Sequence, residues 1–184
     1  MSLRSWIGIA ALLVLIQAVV LYAMGQPLMS ATHSLMLWAG NVHSVENSQQ
    51  LTDWYSFSHI IHGILFYALL WLLFPRLTVA ARLALAVGIE VSWELIENSP
   101  WIIQRYREQA LAQGYFGDSV INSVSDTLMT VLGFLIAWRA PVWFCVTLII
   151  ALETFTMHEI RDGLALNIIQ LLHPVQLISN WQAS

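Results

Sequence analysis

Trp6 to Met24 reads WIGIAALLVLIQAVVLYAM, nineteen residues without a charged side chain. A bilayer's hydrocarbon core needs about 20 helical residues to cross it. Inside it the backbone must satisfy its own hydrogen bonds, so this stretch is expected to be a transmembrane helix. A cleaved signal peptide is the competing reading, because Arg4 precedes the apolar run. The run is long for such a segment and no small-x-small cleavage site follows it, so an uncleaved helix is expected.

Four more stretches repeat the pattern: about 56–74 ended by Pro75, about 79–98 ended by Pro100, about 119–138, and about 141–158. The fold class is therefore all-α. One membrane domain over residues 1–184 is expected, an integral bundle of about five transmembrane helices with short interfacial helices. Composition agrees. Apolar residues make up 58% and charged residues 10%, whereas soluble domains carry about a quarter charged residues. The formal net charge is −4 and every basic residue is Arg, which excludes a nucleic-acid-binding footprint. The lone Cys145 lies in an apolar run and can form no internal disulfide.

Two connectors are long. Residues 25–57 carry Trp38, Trp54 and Tyr55, residue types that favour the membrane interface. In 99–118, Ile102, Ile103 and Tyr106 recur at near-helical spacing among Arg105, Arg107 and Glu108, which predicts a short helix lying on the membrane surface. The tail after Arg161 alternates apolar and polar residues and is expected to pack at the interface. An inside N-terminus puts Arg4, Arg76, Arg82 and Arg139 on the cytoplasmic side, as the positive-inside rule prefers. Both long connectors and the C-terminus then face the periplasm or exterior.

With the spans antiparallel, the ionisable residues gather in one half of the membrane. His59 and His62 open the second helix; Glu90, Glu94 and Glu97 form a stripe late in the third. Asp118, Asn122, Ser125 and Asp126 open the fourth, and His158, Glu159 and Asp162 close the fifth. If the third and fourth helices are neighbours, Glu97 faces Asp118, Glu94 faces Asn122 and Glu90 faces Asp126. The deepest of these rungs would lie about 12 Å inside, at a rise of about 1.5 Å per residue.

Carboxylates in a bilayer cost about 2.5–3.5 kcal/mol each on insertion scales, which makes such a cluster a functional-site hypothesis. Two His one turn apart, facing acids, suit a divalent metal such as zinc. On that reading His59, His62 and Glu94 are the ligands, and Glu97, Asp118 and Asp126 supply general acid–base groups. Glu90, Asn122 and Ser125 complete the polar network, and Arg105 and Arg107 bind an anion. The bland readings stay open beside it: interfacial histidines bonded to neighbours, solvated pairs of Glu94 and Glu97 with the arginines, capping by Ser119, and a His158–Asp162 pair at a helix end.

Three classes follow. The first is a metal-assisted hydrolase or transferase acting on a lipid or envelope substrate. The second is an accessory or assembly protein whose polar network is structural. The third is an ion- or proton-coupled carrier using Glu90 and Asp126, for which the inner half offers no polar route. The bilayer is the one partner the composition implies. Substrate, metal identity and oligomeric state are not encoded in any pattern of the chain.

Several of these stretches carry a resemblance. ENSQ (Glu46 to Gln49), LTDWYSFSHIIHG (Leu51 to Gly63), WELIENSP (Trp93 to Pro100), QRYR (Gln104 to Arg107), GDSVINSVSD (Gly117 to Asp126) and IRD (Ile160 to Asp162) resemble the uncharacterised multi-pass bacterial membrane proteins of the UPF0314 or DUF2585 family. The resemblance runs from about Leu37 onward. It implies a membrane location and no particular activity. The family usually places Cys residues upstream of the Trp38 region and a His where this chain has Gln50; this chain has neither. A looser likeness of layout, in His59, Glu94, Asp118 and Asn122, is to VanZ-like membrane proteins and is analogy only.

Overall fold

A computed structural model describes residues 2–109 and 111–183 of the chain. Eight helices are described: α1 (Leu3–Ala23), α2 (Ser56–Leu73), α3 (Val79–Glu97), α4 (Pro100–Arg107), α5 (Val120–Arg139), α6 (Val142–Ile160), α7 (Leu164–Leu172) and α8 (Gln176–Gln182). The five long helices lie within three residues of the boundaries expected from hydropathy. Their starts have local causes. Ser2, Thr78, Ser99 and Ser119 each accept a hydrogen bond from a backbone amide three residues on, the N-cap arrangement that satisfies a free donor.

α1, α2, α5 and α6 are long and apolar enough to cross a membrane. Their lipid-facing sides are bare: Leu12, Leu15, Val19, Leu72, Val142 and Ile150 are all exposed in the isolated chain. α3 differs. Its nineteen residues have the length, but they include Arg82, Glu90, Glu94 and Glu97. Arg82, Glu90 and Glu94 are buried because α1, α2 and α5 all pack against α3. The chain is thus an α-helical membrane protein whose most charged long helix is wrapped by apolar ones.

The tightest helix pair is α2 on α5. A Cβ added to Gly63 would overlap the Thr130 carbonyl, and one added to Gly133 would overlap the Ile60 carbonyl. Small residues at such a crossing let the backbones approach. Thr130 also donates from Oγ1 to the His59 carbonyl at 3.0 Å. On one side of this crossing Leu70, Ala86 and Phe134 form an apolar cluster with Phe66, Tyr67, Val79 and Leu83. On the other side the interior becomes polar.

α4 is a short helix within the 99–118 connector, where one was expected. It buries Ile102 and Tyr106 and leaves Trp101 exposed. Between α1 and α2, residues 25–55 contain no named helix or strand, yet Ser48, Gln49, Gln50 and Asp53 among them are buried. It folds over the start of α5: the Ser119 amide donates to the Ser48 carbonyl at 2.9 Å and the Ser119 hydroxyl to the Gln49 carbonyl at 3.0 Å.

Candidate functional site

α2 carries His59 and His62 one turn apart, and α3 presents Glu90 between them. His59 Nδ1 lies 2.5 Å from Glu90 Oε1, and His62 Nδ1 lies 3.2 Å from Glu90 Oε2. Glu90 is fully enclosed and His59 is 6% exposed. The other side of His59 faces α5, with Nε2 3.8 Å from Asp126 Oδ2. Asp126 is held in turn by the Ser56 hydroxyl, which donates to Oδ1 at 2.8 Å.

One turn along α3, Glu94 accepts from the Ser123 hydroxyl at 2.6 Å through Oε2. Its Oε1 is buried with no hydrogen-bond donor among the described residues, 3.5 Å from His59 Nδ1. Gln17 of α1 completes the arrangement. Its Nε2 donates to the Ser123 carbonyl at 3.0 Å and to Ser123 Oγ at 2.7 Å, while its Oε1 accepts from Thr127 at 2.9 Å. His59 therefore sits between carboxylates of two helices, and each carboxylate has its own support.

Two sets of side chains bring their ligand atoms within 4.8 Å of one another: His59, His62 and Glu90, and His59, Glu94 and Glu97. Both are nitrogen–oxygen donor sets of the kind zinc accepts. The His pair thus groups with Glu90, whereas the spacing argument assigned Glu94 to it. Both glutamates lie on one face of α3, and the rotation of α3 against α2 selects the deeper one.

The two deeper rungs expected, Glu90 with Asp126 and Glu94 with Asn122, do not form. Glu90 pairs with the histidines, and His59 stands between it and Asp126. Asn122 donates to the Gln50 carbonyl at 2.8 Å, and Glu94 meets Ser123 in its place. Asp118 is bound by Asn98, which donates from Nδ2 at 2.7 Å and accepts the Asp118 amide at 2.7 Å. Isolated carboxylates repel when set face to face, so each instead takes a neutral donor or an imidazole. Ser125 is buried but makes no side-chain hydrogen bond among the described residues.

Arg105 and Arg107 are engaged elsewhere. Arg105 donates to the Leu171 carbonyl at 3.0 Å and pairs with Glu108 at 3.1 Å; Arg107 donates to the Tyr115 carbonyl at 2.5 Å. Neither lines the cavity described below. At the end of α6, His158 pairs with its neighbour Glu159 at 3.1 Å, while Asp162 accepts from Tyr55.

A cavity of about 580 Å³ opens over His59, His62 and Asp126. Toward the bilayer its wall is apolar, made by Leu65 and Phe66 of α2 and Ile89 and Trp93 of α3. Around the starts of α2 and α5 it is lined by three tyrosine–carboxylate pairs: Tyr55 on Asp162 at 3.2 Å, Tyr106 on Glu97 at 2.9 Å and Tyr115 on Asp118 at 3.0 Å. The sequence reading treated Tyr55 as an interface residue and Tyr106 as part of an apolar face. An aromatic next to an interface gives no local sign that its hydroxyl turns inward.

Burial pushes the Asp118 carboxyl up to about 6, against the opposing pull of its Asn98 and Tyr115 donors. Burial also pushes Asp162 up to about 6 and raises Asp53. The Tyr55 hydroxyl lies well above the ordinary tyrosine range, through burial and then the adjacent Asp162. Gln50 does not line the cavity; its side chain accepts the Met36 amide at 2.7 Å and donates to Glu46. It braces the connector.

The family model described as "Protein of unknown function (DUF2585)" matches residues 21–184. The chain is 50% identical over 182 residues to a UPF0314 protein of Sphingopyxis alaskensis, covering 99% of this chain and 96% of that one. It is 51% identical over 181 residues to one of Agrobacterium fabrum, covering 98% and 91%. With one of Paracoccus denitrificans it shares 47% over 173 residues, covering 94% and 90%. No solved structure matches it.

Proposed function

This chain belongs to the DUF2585 or UPF0314 family, and from that premise we propose that it is a membrane-embedded hydrolase or transferase, metal-assisted, acting on a lipid or other amphiphilic envelope substrate. The observation that carries this reading is the setting of His59. Its two ring nitrogens face Glu90 and Asp126, at the floor of a cavity with an apolar wall toward the bilayer. An acyl chain fits the apolar wall and a polar headgroup fits the outer end.

His59, His62 and Glu90 would hold the metal, with Glu94 Oε1 as a further donor close by. A bound divalent ion would polarise a phosphoryl or carbonyl oxygen or activate a water. Asp126 stands on the opposite side of His59 and is the acid–base group of this proposal. Glu97 and Asp118, each bonded to a tyrosine farther out, would contact the headgroup. The positive-inside pattern supports an inner-membrane protein with this cavity facing the periplasm.

The test begins with the protein purified in mild detergent without chelators. Elemental analysis should find about one equivalent of divalent metal, retained in Glu108→Gln and lost in His59→Ala and Glu90→Gln. Wild-type protein with no more metal than His59→Ala would overturn the metal-assisted reading. Lipid and envelope extracts of a strain lacking the chain should change and be restored by the wild type but not by His59→Ala. A cysteine placed beside Arg76 should resist labelling from the periplasm, and one beside Glu108 should react.

A further inference from the structure

The end of the bundle away from His59 holds Arg4, Arg76, Arg82 and Arg139, four of the seven arginines. All eleven acidic residues lie in the outer connectors or in the other half of the helices. Arg4, Arg76 and Arg139 are exposed and solvated. Arg82 is not. It stands in the first turn of α3, 7% exposed, and its Nε and Nη1 are buried with no hydrogen-bond partner among the described residues. Its guanidinium lies over the Tyr67 ring, 5.5 Å from guanidinium carbon to centroid.

That position is unfavourable on two counts. A cation at a helix N-terminus opposes the helix dipole. A buried charge without a partner is strongly disfavoured, and a cation–π contact offsets only part of that. Glu90 lies on the same face of α3, but two turns farther along, and both histidines already occupy it. Among the described residues no carboxylate forms an ion pair with Arg82. Around this end Leu72, Leu73 and Phe74 are exposed apolar residues and Trp71 and Trp138 are exposed aromatics, the setting of a membrane interface.

We propose that Arg82 is the core of a binding site for the phosphate of an anionic phospholipid in that leaflet, with the exposed apolar end of α2 beside the acyl chains. Arg suits phosphate by its planar, multi-donor head. This site is independent of the His59 cavity and of the reaction proposed there.

Native mass spectrometry of the full chain in detergent, with phosphatidylglycerol, phosphatidylcholine or inorganic phosphate added, tests it. The wild type should retain one phosphatidylglycerol with at least about tenfold preference over phosphatidylcholine, a difference of about 1.4 kcal/mol. Arg82→Gln should lose that preference, whereas Arg4→Gln should keep it. Equal retention by wild type and Arg82→Gln overturns the proposal. Displacement by equimolar inorganic phosphate overturns the lipid as the source of the anion. A measurement on the wild type alone guards against a misfolded variant: phosphatidylglycerol should raise its melting temperature and phosphatidylcholine should not. Equal shifts from the two lipids would also overturn it.

Discussion

His59 Nδ1 stands 2.5 Å from Glu90 Oε1, and neither residue is more than 6% exposed. The pair joins α2 to α3 in the interior of the bundle, beneath the cavity. Removing Glu90 leaves His59 with the more distant Glu94 and Asp126, and removing His59 leaves Glu90 with His62 alone; losing one member of a buried pair typically costs about 3–5 kcal/mol. Glu90→Ala and His59→Ala are each expected to lower thermal stability in detergent by an amount of that order. The double variant should lose clearly less than the sum. Additive losses would show that the two do not act as a unit.

Asp118 and Asp162 give the protein an acid-stable character. Each carboxyl titrates near 6 in the folded chain, above its ordinary value of 3.8. The folded state therefore holds these protons more tightly than the unfolded state does. Their contribution to stability is fully present below about pH 4 and is lost as pH rises through about 6. Melting temperature should fall across that window, and Asp118→Asn or Asp162→Asn should flatten the fall. The Asp118 site can accept an amide because the Tyr115 hydroxyl is able to turn from donor to acceptor.

Gly63 and Gly133 set the distance between α2 and α5, and each would drive a Cβ into the opposing backbone. Gly63→Ala and Gly133→Ala are expected to destabilise by at least about 1–3 kcal/mol, the usual cost of overpacking. They should also displace His59 relative to Asp126 and so reduce bound metal. Gly8, whose added Cβ would meet nothing within 4 Å, is the control. Gly8→Ala should match or exceed wild-type stability, because Ala is the better helix former by about 1 kcal/mol. Unfolding curves of the three variants measure the difference.

Gln17 ties α1 to the polar interior through Ser123 and Thr127. Gln17→Ala removes three side-chain hydrogen bonds and leaves buried groups on Ser123 and Thr127 unmatched. A loss of about 1–3 kcal/mol is expected. Because Ser123 still donates to Glu94, metal content should survive the substitution. A Gln17→Ala protein that is stable but has lost its metal would show that α1 shapes the site directly.

Hydropathy and helical spacing determined a good deal on their own. The charge-free run of α1, the prolines that end two spans, and the four-three spacing of Glu90, Glu94 and Glu97 are properties of neighbouring residues. They gave the membrane class, the long helices and the gathering of acids in one half of the bundle. The His59–His62 pair was legible as a candidate for the same reason.

Tertiary structure alone decided which groups meet. The close crossing at Gly63 and Gly133 turns α2 so that Glu90, not Glu94, receives both imidazoles, and His59 comes between Glu90 and Asp126. Asp118 takes Asn98 and Tyr115, and Asn122 takes the carbonyl of Gln50, 72 positions away. Spacing along a helix specifies which residues share a face, but not how far that face is rotated toward a neighbour. Rotation follows from packing across distant segments, and a change of a few ångströms selects a different partner for every polar group.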